Sequence, residues 1–210
     1  MKRLISWEKV KYSFYVLTHP SDGFYEIRHR GRGSVLLALV YLALFSLSFS
    51  MNRIKASFIV NDTDPRTVDS LDELMGIALL FLLLCVGNWS ITCLMEGEGR
   101  LKDIVTILGY AMLPMVLTFL PATLISQFIA ADEETFYFII LIIGIAWAAI
   151  LALIGIMTIH NFTMAKTLLT LILTFLAVLI IIFILMMLSN LVMQVYGFFH
   201  SIYVELTFRA

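Results

Sequence analysis

Charged residues are missing from five long apolar stretches of this 210-residue chain. The stretches cover residues 33–51, 74–95, 104–130, 135–159 and 167–195, and none contains Asp, Glu, Lys, Arg or His. About 20 apolar residues cross the hydrocarbon core of a bilayer as a helix. Only 14% of the chain is charged, against about a quarter in a soluble domain. The sequence therefore predicts an all-α integral membrane protein, a bundle of five transmembrane helices over residues 33–195.

Motifs of catalysis and of metal binding are missing as well. An ionisable group at membrane depth is costly and usually functional, and the five stretches have none. The chain also lacks HExxH, GxSxG and Walker motifs and any Cys/His spacing typical of a metal site. We therefore predict a protein that is not an enzyme and that uses no cofactor and no metal.

The chain has only two cysteines and almost no net charge. The two cysteines, Cys85 and Cys93, are eight residues apart in one apolar stretch, about 12 Å along a helix, which is too far for a disulfide. The net charge is −1. Binding to nucleic acid needs a concentrated basic surface, so nucleic acid is excluded as a partner.

The first 32 residues carry a helical pattern that is more polar than the apolar stretches. His19-Pro20 should end a first helix, because the residue before proline avoids the helical region, and a short second helix should follow. Such a cytoplasmic amphipathic segment could lie on the membrane surface or bind another protein. The first helix would carry an apolar stripe of Leu4, Trp7, Val10, Phe14 and Leu17. The segment ends in three arginines, Arg28, Arg30 and Arg32.

Lysine and arginine divide unequally between the two sides of a five-span protein. The side with the N-terminus, residues 96–103 and residues 160–166 holds ten of them, and the other side holds four. The positive-inside rule then predicts a multi-pass plasma-membrane protein with a cytoplasmic N-terminus and an extracytoplasmic C-terminus. Residues 196–210 mix aromatic and charged residues, which is typical of an interfacial tail.

Several residues inside or at the ends of the spans are candidates for helix packing. Amides in lipid usually bond another helix, and small residues at four-residue spacing let helices approach closely. Prolines kink a helix, although broken helices also mark transport sites. His160 is interpreted as an interfacial histidine that bonds a helix end, rather than a metal ligand or proton relay. The packing candidates are Asn88, Pro114, Pro121, Gly144, Ala148, Ala152, Gly155 and His160.

Four segments resemble the Yip1 family, specifically its bacterial members. They are Pro20–Arg28 (PSDGFYEIR), Leu94–Asp103 (LMEGEGRLKD), Gly109–Pro114 (GYAMLP) and Ile159–Ala165 (IHNFTMA). The resemblance implies an N-in domain of five transmembrane helices and supplies no catalytic residue. Eukaryotic relatives take part in vesicle traffic and bind small GTPases. That role is not expected for this chain, because it lacks the long acidic, tyrosine-bearing cytoplasmic segment of those relatives. Bacterial relatives encoded beside carbohydrate ABC importers imply an accessory-subunit role.

The preferred interpretation is a non-enzymatic membrane protein that acts through contacts with other integral membrane proteins. The resemblance implies an accessory or scaffold subunit of an ABC-type carbohydrate importer, bound to its permease subunits. Anionic lipid is the other candidate partner. The alternatives are a small-solute channel or transporter, and a membrane-shaping protein. The candidate contact residues are Leu4, Trp7, Val10, Phe14, Arg28, Arg30, Arg32, Glu96, Glu98, Arg100 and Lys102.

Overall fold

The computed structural model describes residues 7–208, which form eight α-helices and no strand. Single 3-10 turns lie at Pro65–Thr67 and Ala131–Glu133. Five helical segments of the described chain are long and apolar enough to cross a membrane, with α5 and α6 together forming the third. The predicted five-span, all-helical fold is confirmed. The helices are α1 Trp7–Thr18, α2 Pro20–Arg30, α3 Val35–Lys55, α4 Ser70–Leu94, α5 Leu101–Ala111, α6 Leu113–Ile125, α7 Glu134–His160 and α8 Met164–Phe208.

The ends of α1, α2 and α4 follow from local chemistry. Pro20 occupies the first turn of α2, where its missing N–H costs nothing, and this separates α2 from α1. Gly31, with φ of 61°, ends α2 in the left-handed region that favours glycine. Asp69 caps α4, because its side chain accepts a hydrogen bond from the Leu71 amide at 2.8 Å. That cap starts α4 four residues before the expected apolar boundary at residue 74.

The third span is two helices rather than the single helix expected over residues 104–130. It begins at Leu101, breaks at Met112 and ends at Ile125. Pro114 lies in the first turn of α6. Because proline has no N–H to donate to a carbonyl oxygen of α5, the helix breaks just before it. Pro121 lies inside α6 on an exposed face.

The helices pack into one bundle, with α3, α5, α6 and α7 at its centre. α3, α5, α6 and α7 pack against one another, and α4 lies against α3, α5 and α8. The α1–α2 hairpin packs on α7 and α5 at the end of the bundle where α3 begins, called the proximal end below. Val16 of α1 and Phe24 of α2 belong to the main buried apolar cluster, so the hairpin is part of the core.

The last helix is longer than the sequence indicated. Instead of a span ending at Val195 and a separate tail over residues 196–210, α8 continues without a break to Phe208. Gly197 is the only glycine or proline near the expected end, and one glycine weakens a helix by about 1 kcal/mol without stopping it. In the described chain its buried residues are Thr167, Thr170, Thr174 and Val178. α8 therefore joins the bundle only through its first turns.

Candidate functional site

Arg28 of α2 connects three segments at the proximal end of the bundle. One guanidinium nitrogen donates to the carbonyl oxygen of Ile159, near the end of α7. Another contacts the Glu98 carboxylate in the α4–α5 loop at 2.5 Å. The Arg28 side chain is only 15% exposed, whereas that of Glu98 is 58% exposed. Arg28 thus joins α2, the α4–α5 loop and the end of α7, three segments that are far apart in sequence.

His160, the last residue of α7, lies beneath the same loop. It is buried, and its Nδ1 accepts a hydrogen bond from the Gly99 amide at 3.2 Å. A Cβ atom at Gly99 would lie 2.7 Å from His160 Cε1, so the loop approaches the ring closely only because residue 99 has no side chain. Phe162 stacks on the ring with centroids 5.3 Å apart. The structure differs in detail from the expected histidine bonded to a helix end, because the hydrogen bond to His160 comes from the α4–α5 loop.

The loop itself has a fixed shape. Glu96 has a left-handed backbone with φ of 59°, and the Gly97 amide donates to the Thr92 carbonyl oxygen at 2.7 Å. At the start of α5, the Asp103 carboxylate accepts from the Arg100 amide and from its guanidinium, at 3.3 and 3.1 Å. Lys102 is exposed. Of the four loop residues proposed as partner contacts, Glu98 and Arg100 therefore serve internal ion pairs.

The charge of Arg28 acts directly on Glu98. The hydrogen bond from Arg28, and next its positive charge, hold the pKa of the Glu98 carboxyl below its ordinary value. The carboxylate therefore stays ionised at neutral pH, where the two side chains neutralise each other. A cleft of about 310 Å³ beside this pair is lined in part by Tyr25, Thr158 and Asn161. In residues 7–208 no group of three or more His, Cys, Asp or Glu side chains is placed to hold a metal ion.

The α1–α2 hairpin is held by a second polar cluster. The Tyr12 hydroxyl donates to the Gly23 carbonyl oxygen at 2.9 Å, and burial, followed by the charge of Glu26, raises the pKa of Tyr12 above its ordinary value. Arg30 and Arg32 both pair with Glu26, at 3.0 and 2.7 Å. These two arginines are thus also bound within the chain, although they remain largely exposed.

The apolar stripe predicted for α1 is divided between the outside of the molecule and the core. α1 buries Ser13, Val16 and Leu17, while Trp7 is 71% exposed and Phe14 is 49% exposed. Val10 is half-buried, and Leu4 lies outside the described residues. Trp7 and Phe14 form an exposed aromatic surface, called the α1 surface below.

Two contacts that the sequence pattern missed fix this rotation of α1. The Tyr41 hydroxyl of α3 donates to Ser13 Oγ at 2.8 Å, and both residues are buried. A Cβ atom at Gly23 would lie 2.8 Å from Val16 Cγ2, so α1 and α2 cross closely at a glycine. The glycine in Ser-Asp-Gly was a visible signal of close approach, whereas a serine–tyrosine bond between distant helices has no local signal.

The small residues of α7 lie at helix contacts. A Cβ atom at Gly144 would overlap Thr118 of α6. One at Gly155 would overlap Ile107 of α5 and would lie 3.2 Å from the ring of Phe24 of α2. Ala148 is buried and Ala152 half-buried on the same helix. The face thus receives α6, α5 and α2 of the same chain.

The polar residues inside and at the ends of the spans do not share a face, as a channel or transporter would require. Asn88 of α4 donates to Thr174 of α8 at 3.1 Å. Ser126, which follows α6, accepts a hydrogen bond from the Ser57 amide at 3.1 Å at the opposite end of the bundle. Ser189, Asn190 and Gln194 lie on the exposed part of α8. The residues are thus distributed over an internal contact, a loop contact and an outer surface.

A buried polar triad at the other end of the bundle also escaped sequence reasoning. Asn52 of α3 donates to Thr123 of α6 at 2.9 Å and accepts from the Tyr137 hydroxyl of α7 at 2.8 Å. Arg53 and Glu73 pair beside it at 2.6 Å. This triad joins three spans where α3 and α6 end and α7 begins.

Comparison with known proteins gives one match. The family model described as Yip1 domain matches residues 14–186, from within α1 to the middle of α8. No curated protein and no solved structure matches the chain.

Proposed function

Because this chain belongs to the Yip1 domain family and is a multi-pass membrane protein, we propose that it is a non-enzymatic protein that acts by binding other integral membrane proteins. In this proposal it lies in the plasma membrane with a cytoplasmic N-terminus. The partner class is the membrane complex of an ABC-type carbohydrate importer, in which this chain serves as an accessory or scaffold subunit.

The α1 surface is the observation that carries the proposal. Trp7 and Phe14 are exposed although the rest of α1 is anchored in the core by Val16 and by the Ser13–Tyr41 hydrogen bond. Aromatic residues are enriched at protein interfaces because they offer a large apolar area with few rotatable bonds. A rigid helix that presents two such side chains is suited to bind a neighbouring membrane protein.

The internal use of the charged residues supports the same function. Arg28 and Glu98 neutralise each other, and Arg30 and Arg32 share Glu26. A binding mode that relies on the α1 surface is therefore mainly apolar. Arg30 and Arg32 share one carboxylate and stay largely exposed, and Lys11 and Lys102 are exposed as well, so anionic lipid is the second candidate partner of this end of the molecule.

Co-purification from native membranes tests the proposal. The tagged full-length chain is compared with the Trp7→Ser/Phe14→Ser variant, and the retained membrane proteins are identified by mass spectrometry. The matched control is Phe58→Ser/Phe128→Ser, which removes two aromatics that are 86% and 89% exposed near the end of the bundle remote from α1.

We expect the wild type and the control to retain the same companions and the α1 variant to lose most of them. Identical profiles for all three proteins would contradict the proposal. Companions without any importer subunit would contradict the importer role alone, because binding through α1 would still stand.

Membrane shaping is a second candidate, favoured by the depth of the hairpin. Val16 and Phe24 are core residues of the bundle, so α1 and α2 occupy the level of the spans' ends, where an inserted helix pair widens one leaflet. Electron microscopy of vesicles that contain the purified protein decides this. Tubules with the wild type and smooth vesicles with Trp7→Ser/Phe14→Ser would favour shaping over protein binding.

A further inference from the structure

The α1–α2 hairpin forms a cleft of about 410 Å³ on an exposed side of α1. This volume lies within the range of pockets that hold small ligands, roughly 300–1,000 Å³. Two basic, two acidic and two aromatic side chains line the cleft, namely Lys11 and Arg32, Glu8 and Glu26, and Tyr12 and Tyr15. Glu8, Tyr12 and Tyr15 follow one another at spacings of four and three residues, so they form one side of α1. The cleft is thus a concave, polar surface between α1 and the end of the hairpin.

One wall of the cleft is fixed by contacts inside the hairpin. The Tyr12 hydroxyl donates to the Gly23 carbonyl oxygen and lies 3.3 Å from a carboxylate oxygen of Glu26. The Arg32 guanidinium pairs with Glu26 at 2.7 Å and lies 5.5 Å from the centroid of the Tyr12 ring. Tyr15 contacts Tyr12, with ring centroids 5.7 Å apart. These side chains are therefore held in place before a ligand arrives, which lowers the entropic cost of binding.

The two basic side chains of the cleft keep donors for a ligand. Arginine has several N–H donors in a planar fork. Pairing with Glu26 uses only a part of them, and the Arg32 side chain is 52% exposed. Lys11 is exposed, and no carboxylate of residues 7–208 forms an ion pair with it. Charge-assisted hydrogen bonds from lysine and arginine favour carboxylate and phosphate oxygens, so this side of the cleft fits one of these two groups.

The position of the cleft along the bundle favours the phosphate of a lipid. Arg32 precedes Val35, the first residue of the α3 span, by three residues, which is at most about 11 Å of chain. Ser13, the neighbour of Tyr12 in sequence, bonds Tyr41 in the second turn of the same span. The headgroups of one leaflet occupy roughly 5–8 Å next to the hydrocarbon core. The cleft therefore lies at the level of the phospholipid phosphates.

The two carboxylates decide which phospholipid fits the cleft. Glu8 and Glu26 balance the charges of Lys11 and Arg32, so the lining has no net charge. The carboxylates repel a second negative charge on a ligand and attract an ammonium group. The faces of tyrosine rings attract an ammonium group as well. We propose that the cleft binds the headgroup of a zwitterionic phospholipid of the phosphatidylethanolamine type, with its phosphate at Lys11 and Arg32 and its ammonium on the acidic side.

The lipid site goes beyond the proposed function, because it does not depend on a protein bound to the α1 surface. Trp7 and Phe14 lie on the neighbouring side of α1 and do not line the cleft. The acyl chains have an apolar surface on α3, whose exposed side begins at Val35 and Leu36, three residues after Arg32. A lipid and a partner protein can therefore bind the hairpin at the same time.

Native mass spectrometry of the full-length protein tests the site. The protein is released from nanodiscs that contain equal amounts of phosphatidylethanolamine and phosphatidylglycerol, and the retained phospholipid is identified. We expect the wild type to retain phosphatidylethanolamine at least about threefold more than phosphatidylglycerol, because the carboxylates oppose a net negative charge. Lys11→Ala should retain at least about tenfold less phospholipid, because one charge-assisted hydrogen bond is lost. The matched control is Lys102→Ala, an exposed lysine of α5 outside the cleft, which should behave like the wild type.

Two further measurements separate the headgroup chemistry from the lipid source. Glu8→Gln keeps the shape of the side chain and removes its charge, so the preference for phosphatidylethanolamine should fall by at least about twofold. Soluble glycerophosphoethanolamine has the same headgroup without acyl chains, and at millimolar concentration it should not displace the bound lipid. Lys11→Ala and Glu8→Gln should unfold at the temperature of the wild type, because both side chains are exposed.

Four outcomes would overturn the inference. The first is equal retention of phospholipid by the wild type and Lys11→Ala, or an equal loss in Lys11→Ala and Lys102→Ala. The second is a wild type that prefers phosphatidylglycerol. The third is an unchanged preference in Glu8→Gln. The fourth is displacement of the lipid by glycerophosphoethanolamine, which would show that the cleft binds a soluble phosphodiester instead of a lipid in the membrane.

Discussion

The ring of Phe24 in α2 lies against Gly155 of α7, where a methyl group would come within 3.2 Å of Phe24 Cε2. Phe24 is fully buried. The second helix of the hairpin is therefore inserted into a notch of the bundle rather than resting on its surface. A methyl group at residue 155 would also overlap Ile107 of α5, so the notch is formed where α5, α7 and the side chain of Phe24 meet at a glycine.

Phe24→Ala should strongly destabilise the bundle. Truncation of a buried phenylalanine costs about 3–5 kcal/mol of unfolding free energy, because it loses apolar contacts and leaves a cavity. Thermal unfolding of the purified protein in detergent measures the change. The control is Tyr25→Ala on the exposed side of the same helix, which should stay within about 0.5 kcal/mol of the wild type. Equal losses for both variants would contradict insertion of α2.

Gly99→Ala should destabilise the α4–α5 loop through one neighbour. The three atoms closest to the added methyl group would all belong to the His160 ring, at 2.7–3.1 Å. The double variant Gly99→Ala/His160→Ala should therefore recover much of the loss, as a double-mutant cycle in thermal unfolding would detect. Gly97→Ala is the matched control, because its methyl group would also lie 2.9 Å from the Thr92 carbonyl oxygen. Removal of His160 should rescue Gly97→Ala less. Equal rescue of both glycine variants would be inconsistent with this geometry.

The Arg28–Glu98 pair should make stability depend on pH in one direction. Since Arg28 lowers the pKa of Glu98 in the folded protein, the pair stabilises the fold above the unfolded carboxyl pKa of about 4.3. That contribution is lost as the pH falls through the lower folded pKa. The wild type should therefore unfold at a higher temperature than Glu98→Gln at pH 7, and the difference should shrink below about pH 4. A constant difference from pH 7 to pH 3 would show that the charge of Glu98 is not the cause.

Local composition predicted the spans because lipid imposes a length and an apolar composition on every helix that crosses it. The same reasoning predicted close packing along Gly144 and Gly155, since small residues at helical spacing permit it. The break before Pro114 was foreseeable as a kink. The sequence did not show that this kink would divide the span into two helices, with Pro114 in the first turn of the second.

Contacts between distant segments could not be predicted from one sequence. Arg28 and Glu98 are 70 residues apart, and each alone is typical of a solvated charge. α1 turned its Ser13 and Val16 side inward because Tyr41 and Gly23 provide a bonding partner and space there. The apolar pattern alone placed Leu17 on the same outward stripe as Trp7 and Phe14, whereas Leu17 is buried. The length of α8 was missed because its polar residues resembled a tail, although they also fit one side of a continuous helix.

The triad of Asn52, Thr123 and Tyr137 should be cooperative. Tyr137→Phe leaves the Asn52 carbonyl oxygen without this donor, and Asn52→Leu leaves the Tyr137 hydroxyl without this acceptor, so each should cost about 1 kcal/mol or more. The double variant removes both groups and should cost less than the sum, with a coupling of about 0.6–1.7 kcal/mol, typical of bonds between membrane helices. Thr123 keeps its hydroxyl bonded to the Phe119 carbonyl oxygen in every variant, so it adds no new unpaired donor. Unfolding of the four proteins in detergent gives the coupling. A value of zero would mean that water or lipid headgroups satisfy these atoms as well as the neighbouring helices do.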